Sequence, residues 1–246
     1  VSFKGQGKGD PVTEADRRAN AHIVERLRAS FRHDTIVAEE SDNRAAELGA
    51  KRIWYVDPLD GTKEFVAKNG EFSVMIGLAI EGNATLGVVF QPSKDKLYRG
   101  VVGQGASLEH AGQVRPLSVS TRRSGSELRL VVSRSHRSRT TDELVSKLGI
   151  QHESSSGSVG LKVGLIAEQV ADLYVHVSDK SSAWDTCGPE ALLLAAGGSF
   201  RDLGGGRFVY GSADLRTRRW IFACNAAAYD VALPVVRSIG ERAGFL

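Results

Sequence analysis

The stretch from Trp54 to Phe72, WYVDPLDGTKEFVAKNGEF, limits the fold more than any other part of the chain. Ile53 to Val56 are apolar residues of β-branched and aromatic type, the pattern of a buried strand. Asp57-Pro58 is expected to stop that strand, because proline fixes φ and removes a donor from the ladder. The chain then turns, and Asp60-Gly61-Thr62 opens a short helix. Asp57 and Asp60 thus stand either side of a proline turn and can face one point in space. The backbone N–H groups of Gly61, Thr62 and Lys63, at a helix start, make a ready anion site. Two hard oxygen ligands beside an anion site suit Mg²⁺ holding a phosphate. The same residues also read as an ordinary Asp-Pro and Asp-Gly turn. The stretch alone does not separate the two.

Upstream, the first residues are glycine-rich with two lysines, Lys4 and Lys8, and read as a loop. Thr13 is a credible N-cap. Ala15, Ala19, Ile23, Leu27 and Phe31 follow as a stripe at roughly helical spacing. Asp16 lies three residues after Thr13, where an acid completes a capping box. Thr35 to Ala38 reads as a short strand ending in Glu39-Glu40-Ser41, and two adjacent acids there read first as solvated charge.

From Phe72 to Ser120 apolar runs alternate with turn clusters at Glu81-Gly82-Asn83, Pro92 to Asp95, Gly103 to Gly105 and His110 to Gly112. This is the pattern of an antiparallel meander. Polar residues and glycine around Thr121 to Ser126 mark a seam, giving halves 1–121 and 122–246. In the second half strands are expected at Leu128 to Ser133, Leu173 to Val177 and Arg219 to Cys224. Helices are expected at Thr141 to Leu148, Leu161 to Val170 and Thr186 to Ala196, the last closed by Gly197-Gly198. A final helix runs to about Arg237, interrupted at Pro234. A meander followed by alternating strands and helices implies stacked α/β layers rather than a barrel.

Composition narrows the partners. A 246-residue chain that is 41% hydrophobic and 25% charged can bury a real core. The net charge of +3 is spread along the chain, which suits a small anionic substrate better than a nucleic-acid polymer. No apolar run approaches a membrane span, and Cys187 and Cys224 lack metal-type spacing, so a cytoplasmic setting is the expectation. The chain opens on Val1 rather than Met, which suggests trimming.

A divalent-cation site needs oxygens from separate segments. Glu39, Asp57, Asp60 and Asp185, the last in AWDTC and placed to cap a helix, are the candidates. If four carboxylates converge, their repulsion calls for a cation. The three spaced motifs VAEES, DPLDGTKEF and WDTCGPEALLLAAGG resemble the lithium-sensitive inositol monophosphatase superfamily, from Gly9 to about Asp202. Within it, DGTKEF followed by NGEF is similar to the 3′(2′),5′-bisphosphate nucleotidases, which remove the 3′-phosphate of 3′-phosphoadenosine 5′-phosphate.

The resemblance implies an α/β (α+β) fold, a layered α-β-α-β-α sandwich of the inositol monophosphatase and fructose-1,6-bisphosphatase type. It implies two or three Mg²⁺ per site, held by Glu39, Asp57, Asp60, Asp185 and the carbonyl of Leu59. Thr62 and Asp16 match the pair that positions and deprotonates the attacking water, with Glu39 beside them. Gly61 and Thr62 would hold the phosphate. Ser133 and His136 match the adenosine-contacting segment. Gly157, Ser158 and Lys162 match the loop and helix start for the second phosphate. Lys4 falls near a loop lysine of the family. Other expectations are a small phosphate ester as substrate, no nucleic-acid polymer, no membrane, an oligomeric state left open, and inhibition by lithium. An inositol, histidinol or fructose phosphate remains an alternative substrate, and a non-catalytic Mg²⁺- or nucleotide-binding module is the reading from another class.

Overall fold

The computed structural model describes residues 2–3, 11–41, 50–135, 137–176, 181–217 and 220–244. A short antiparallel pair, β1 (Ser2–Phe3) and β2 (Pro11–Val12), precedes helix α1 (Glu14–Ser30). A seven-stranded sheet follows in chain order: β3 (Thr35–Ala38), β4 (Arg52–Asp60), β5 (Ser73–Ile80), β6 (Asn83–Gln91), β7 (Lys96–Val101), β8 (Gly105–His110) and β9 (Gln113–Leu117). β3 runs parallel to β4 and every later neighbour is antiparallel, so the expected meander is present. The second sheet comprises β10 (Arg129–Ser133), β11 (His152–Ser156), β12 (Leu173–His176), β13 (Gly198–Asp202) and β14 (Ile221–Asn225). Its order is β11-β10-β12-β14-β13. The remaining helices are α2 (Thr62–Val66), α3 (Arg139–Leu148), α4 (Val159–Ala167), α5 (Ala183–Ala195) and α6 (Tyr229–Arg242).

The side-chain alternation of the strands builds the layers. In β4, Ile53 and Tyr55 enter the central core, whereas Val56 packs with Val24 of α1 and Ala38. In β14, Ile221 and Ala223 face the central core, and Phe222 and Cys224 face the cluster that includes Leu144 of α3 and Val236 of α6. α4 and α5 fill the space between the sheets. The order is therefore α1, sheet, α4 and α5, sheet, α3 and α6: the α-β-α-β-α sandwich.

A row of glycines sets how closely α5 approaches the first sheet. Gly77, Gly87 and Gly100 are cross-strand partners on β5, β6 and β7. A Cβ on Gly87 would stand 2.0 Å from the Gly188 carbonyl oxygen, and one on Gly77 would stand 2.4 Å from the Gly188 nitrogen. Helix backbone thus rests directly on sheet backbone, which brings the first turn of α5 close to the end of β4.

Several local expectations are corrected. β4 continues through Pro58 to Asp60, with a register shift between Asp57 and Asp60. The proline sits beyond the last β3–β4 pair, Ala38 with Val56, where no ladder donor is required of it. On α1 the buried residues are Asp16, Asn20 and Val24; Phe31 of the expected stripe is exposed. α3 starts at Arg139, capped by Ser138, α4 starts at Val159, and α5 starts at Ala183, ahead of the expected Thr141, Leu161 and Thr186. Gly198 opens β13 instead of closing a helix, and α6 runs through Pro234 to Arg242. Strands β11 and β13 were absent from the sequence reading; HESSS carries no apolar signal at all.

Candidate active site

Helix α1 begins with a capping box. Thr13 accepts the Ala15 N–H, and Asp16 Oδ2 accepts the Thr13 N–H at 2.8 Å and its hydroxyl at 2.6 Å. The buried carboxylate is therefore held by one oxygen. Its other oxygen, Oδ1, lies 3.1 Å from Thr62 Oγ1. The Thr62 hydroxyl also lies 3.2 Å from the Leu59 carbonyl, so its single proton has two alternative acceptors. Gly61, at φ 95°, makes the left-handed turn into α2; a Cβ there would meet the Glu71 carbonyl at 3.0 Å.

The carboxylates come from both halves of the chain. Asp57 is buried in the bulge and its Oδ1 accepts the Leu59 N–H at 2.9 Å. Glu39 follows β3, its N–H bonded to the Val56 carbonyl at 3.0 Å, which stands it beside Asp57. Asp185 lies in the first turn of α5 and accepts the Ser182 N–H at 2.6 Å. Burial first, then the charges of Glu39, Asp60 and Asp185, pushes the Asp57 carboxyl well above the usual carboxylate range. Burial, then Glu39 and Asp60, does the same to Asp185, whose side chain is in hydrogen-bond reach of Asp57. Among the described residues, no three acidic, histidine or cysteine side chains close around one point as a finished ligand cage. What the fold provides is mutual proximity of hard oxygen donors, and their repulsion is what a bound dication would relieve.

Asp60 is also raised by burial, opposed by the Lys162 charge and by the hydrogen bonds it receives from α4. Ser158 Oγ donates to Asp60 Oδ2 at 2.5 Å, and the Gly160 N–H reaches the same oxygen at 3.3 Å. The start of α4, expected to meet a substrate phosphate, is thus engaged with Asp60, and the Ser158 N–H is bonded to the Glu71 carbonyl. Lys162 is fully buried rather than a surface charge. Its ammonium donates to the carbonyls of Ser156 and Gly157 and sits 5.0 Å from the centre of the Tyr174 ring. Burial pulls its pKa down to about 8 against the pull of Asp60, Glu64 and Glu71.

Ser133 ends β10 in register with Ser156, next to Gly157. The two residues after it are tied to the segment following Gly61: Arg134 pairs with Glu71, and Ser135 donates to Glu64 at 2.7 Å. The expected nucleotide segments of the second half therefore lie against α2. His136 and Lys4 lie outside the described residues.

The inositol monophosphatase family model matches residues 1–238. The chain belongs to the inositol monophosphatase family. Among curated proteins, the 3′(2′),5′-bisphosphate nucleotidase CysQ of Salmonella typhimurium is 38% identical over 202 residues, which is 81% of this chain and 79% of that protein. The CysQ of Buchnera aphidicola is 36% identical over 85% of this chain and 77% of its own length. Among solved structures, CysQ from Bacteroides thetaiotaomicron superposes with a TM-score of 0.74 at 30% identity, covering 86% of this chain and 83% of that one. An inositol monophosphatase from Anabaena superposes with a TM-score of 0.77 at 29% identity, covering 92% and 87%.

Within this family frame, sequence reading passed over Ser73, Glu64, Arg134 and the side-chain role of Ser158. Ser182-Ala-Trp-Asp185 repeats the spacing of Thr13-Glu-Ala-Asp16, and that spacing was a usable signal for Asp185 as the third residue of its helix rather than its cap.

Proposed function

We propose that this chain is a 3′(2′),5′-bisphosphate nucleotidase that converts 3′-phosphoadenosine 5′-phosphate and water to AMP and inorganic phosphate. The observation that carries the reading is the set of curated relatives bearing that name, 36% to 38% identical over most of this chain. The donor set fits Mg²⁺, two or three per site, with Glu39, Asp57, Asp60, Asp185 and the Leu59 carbonyl as its ligands. When bound, such ions lower the pKa of water and neutralise charge on the phosphate.

The chain's own groups do the positioning and move the protons. By giving its proton to Asp16 Oδ1, Thr62 turns its lone pairs toward an incoming water, and the water's proton passes through that hydroxyl to Asp16. Thr13 keeps Asp16 from turning away. The N–H groups of Gly61 and Thr62, opening α2, receive phosphate oxygens as the water oxygen bonds to phosphorus. The bond from phosphorus to the ribose 3′-oxygen breaks, and that oxygen leaves with a proton from a water beside Asp185; the proton taken up by Asp16 is released to solvent and neutralises the hydroxide so formed. In this reading Ser133 and Gly157 border the nucleotide end, with Lys162 supplying positive charge from behind the Gly157 loop, whereas Ser158 is withdrawn as a phosphate contact because its N–H and its hydroxyl are already engaged by Glu71 and Asp60. A small phosphate ester and a cytoplasmic setting go with this reading. Among the described residues no helix is long and apolar enough to cross a membrane.

The test is phosphate release with Mg²⁺ from 3′-phosphoadenosine 5′-phosphate, inositol monophosphate, histidinol phosphate and fructose 1,6-bisphosphate. Each is measured with and without millimolar Li⁺. The bisphosphonucleoside is expected to turn over fastest and to be suppressed by Li⁺. Faster release from inositol monophosphate would overturn the assignment.

A further inference from the structure

The carboxylate of Asp60 does not choose its own orientation. Its Oδ2 takes the Ser158 hydroxyl at 2.5 Å and the Gly160 N–H at 3.3 Å. Ser158 is completely buried, and its Oγ also accepts the Leu161 N–H at 3.1 Å as the cap of α4. A second buried hydroxyl, Ser73, stands 2.7 Å from Ser158 Oγ. Ser73 is the β5 partner of Asp60 in the ladder, so all three residues meet where the first sheet touches α4. The approach is close: a Cβ on Gly160 would fall 2.7 Å from Met75 Sδ and 3.1 Å from Ser73 Oγ.

Proton counting fixes the direction of this chain. Ser158 has one proton, and an ionised Asp60 can only accept, so Ser158 gives its proton to Asp60. The hydrogen bond between the two serines must then use the proton of Ser73. With the Leu161 N–H and the Ser73 hydroxyl received and Asp60 supplied, the hydroxyl of Ser158 is saturated: one donated bond and two accepted. Nothing else competes for it.

We infer that Ser158, backed by Ser73, is a positioning residue that fixes Asp60 by Oδ2 and so presents Oδ1 to the cation site. This rests on the nucleotidase reading for the role of Asp60, but not for the geometry. Ser158 belongs to the second half of the chain and Asp60 to the first, so the ligand is aimed from across the fold. An outer hydrogen-bond partner of this kind typically changes metal affinity by about 10- to 100-fold when removed.

The experiment titrates Mn²⁺ into the whole chain, with free Mn²⁺ followed by electron paramagnetic resonance, for wild type, Ser158→Ala, Ser73→Ala and the double variant. The Mg²⁺ concentration for half-maximal phosphate release and the KM at saturating Mg²⁺ are measured alongside, with cation-free thermal unfolding as the fold control. Ser158→Ala is expected to weaken Mn²⁺ binding about tenfold and to raise the Mg²⁺ requirement in proportion, with KM nearly unchanged. Ser73→Ala leaves the α4 cap intact and is expected to weaken Mn²⁺ binding to a smaller extent. The double variant is expected to match Ser158→Ala, because Ser73 acts through Ser158. Wild-type affinity in Ser158→Ala, or additive losses in the double variant, would overturn the inference. A wild-type chain that binds Mn²⁺ but cleaves no bisphosphonucleoside would sink the functional reading instead, leaving the Mn²⁺ comparison to stand or fall by itself.

Discussion

Two aspartates far apart in the chain are aimed by the same local device. Asp16 and Asp185 are each the third residue of a helix, and each accepts a backbone N–H from the residue before that helix begins. The bond uses up one carboxylate oxygen and leaves the other for chemistry. For Asp16 the free oxygen meets Thr62. Thr62→Ala removes the hydroxyl that links water to Asp16 while leaving the carboxylates untouched. It is expected to lower kcat by about 100-fold or more, with little change in the Mg²⁺ requirement. Steady-state phosphate release over a Mg²⁺ series checks this, and a kcat within a few-fold of wild type would remove Thr62 from the proton path. At this scale much was legible: Thr13 with Asp16, and the pair Asp57 and Asp60, are short-range patterns. The contact of Ser158 with Asp60 spans 98 residues, and no local pattern encodes it.

Elements were harder to read where tertiary contacts override local preference. Proline looked like the end of β4, yet the strand carries it past the end of its β3 neighbour. The buried face of α1 is partly polar, with Asp16 and Asn20 beside Val24, so the expected apolar stripe forms its edge: Ile23 and Leu27 pack against Val24, Ala38 and Val56, and Phe31 is exposed. The start of α5 is held by the segment after β13: the Ala183 N–H bonds to the Leu215 carbonyl at 2.8 Å, and the Thr217 N–H to Ser181 at 2.8 Å. The same segment sends Tyr210 inward, where its hydroxyl donates to Glu190 of α5 at 2.5 Å. Burial pushes Glu190 up to about 7, against the Tyr210 bond and the charges of Arg201 and Arg207. The folded carboxyl therefore keeps a proton that the unfolded chain releases near 4.5. Stability is expected to fall as pH rises from that value to about 7 and to level off above it, by at most about 3 kcal/mol. Glu190→Gln removes the titration, so its melting temperature is expected to change less over that window than the wild type's. Equal slopes in parallel thermal scans would show that Glu190 does not carry this pH dependence.

For the whole molecule, the layered order was legible from the meander followed by alternation, and from the resemblance carried by three motifs. What the motifs do not contain is the depth at which the layers meet. The glycine row on β5, β6 and β7 lets α5 rest on the sheet backbone, and that contact carries Asp185 to Asp57. Asp57 and Asp60 lie on one sheet, Glu39 in the turn just after its strand β3, and Asp185 in the helix layer beneath, so the proposed site exists only when the two halves are packed together. Asp185→Asn keeps an acceptor for the Ser182 N–H and removes only the charge contributed from the second half. The decisive measurement is kcat for phosphate release from 3′-phosphoadenosine 5′-phosphate at saturating Mg²⁺ in this variant, with folding checked by thermal unfolding. A fall of about 100-fold or more in a folded variant is expected if carboxylates from both halves act on one phosphate. A folded Asp185→Asn chain turning over within twofold of wild type would contradict it.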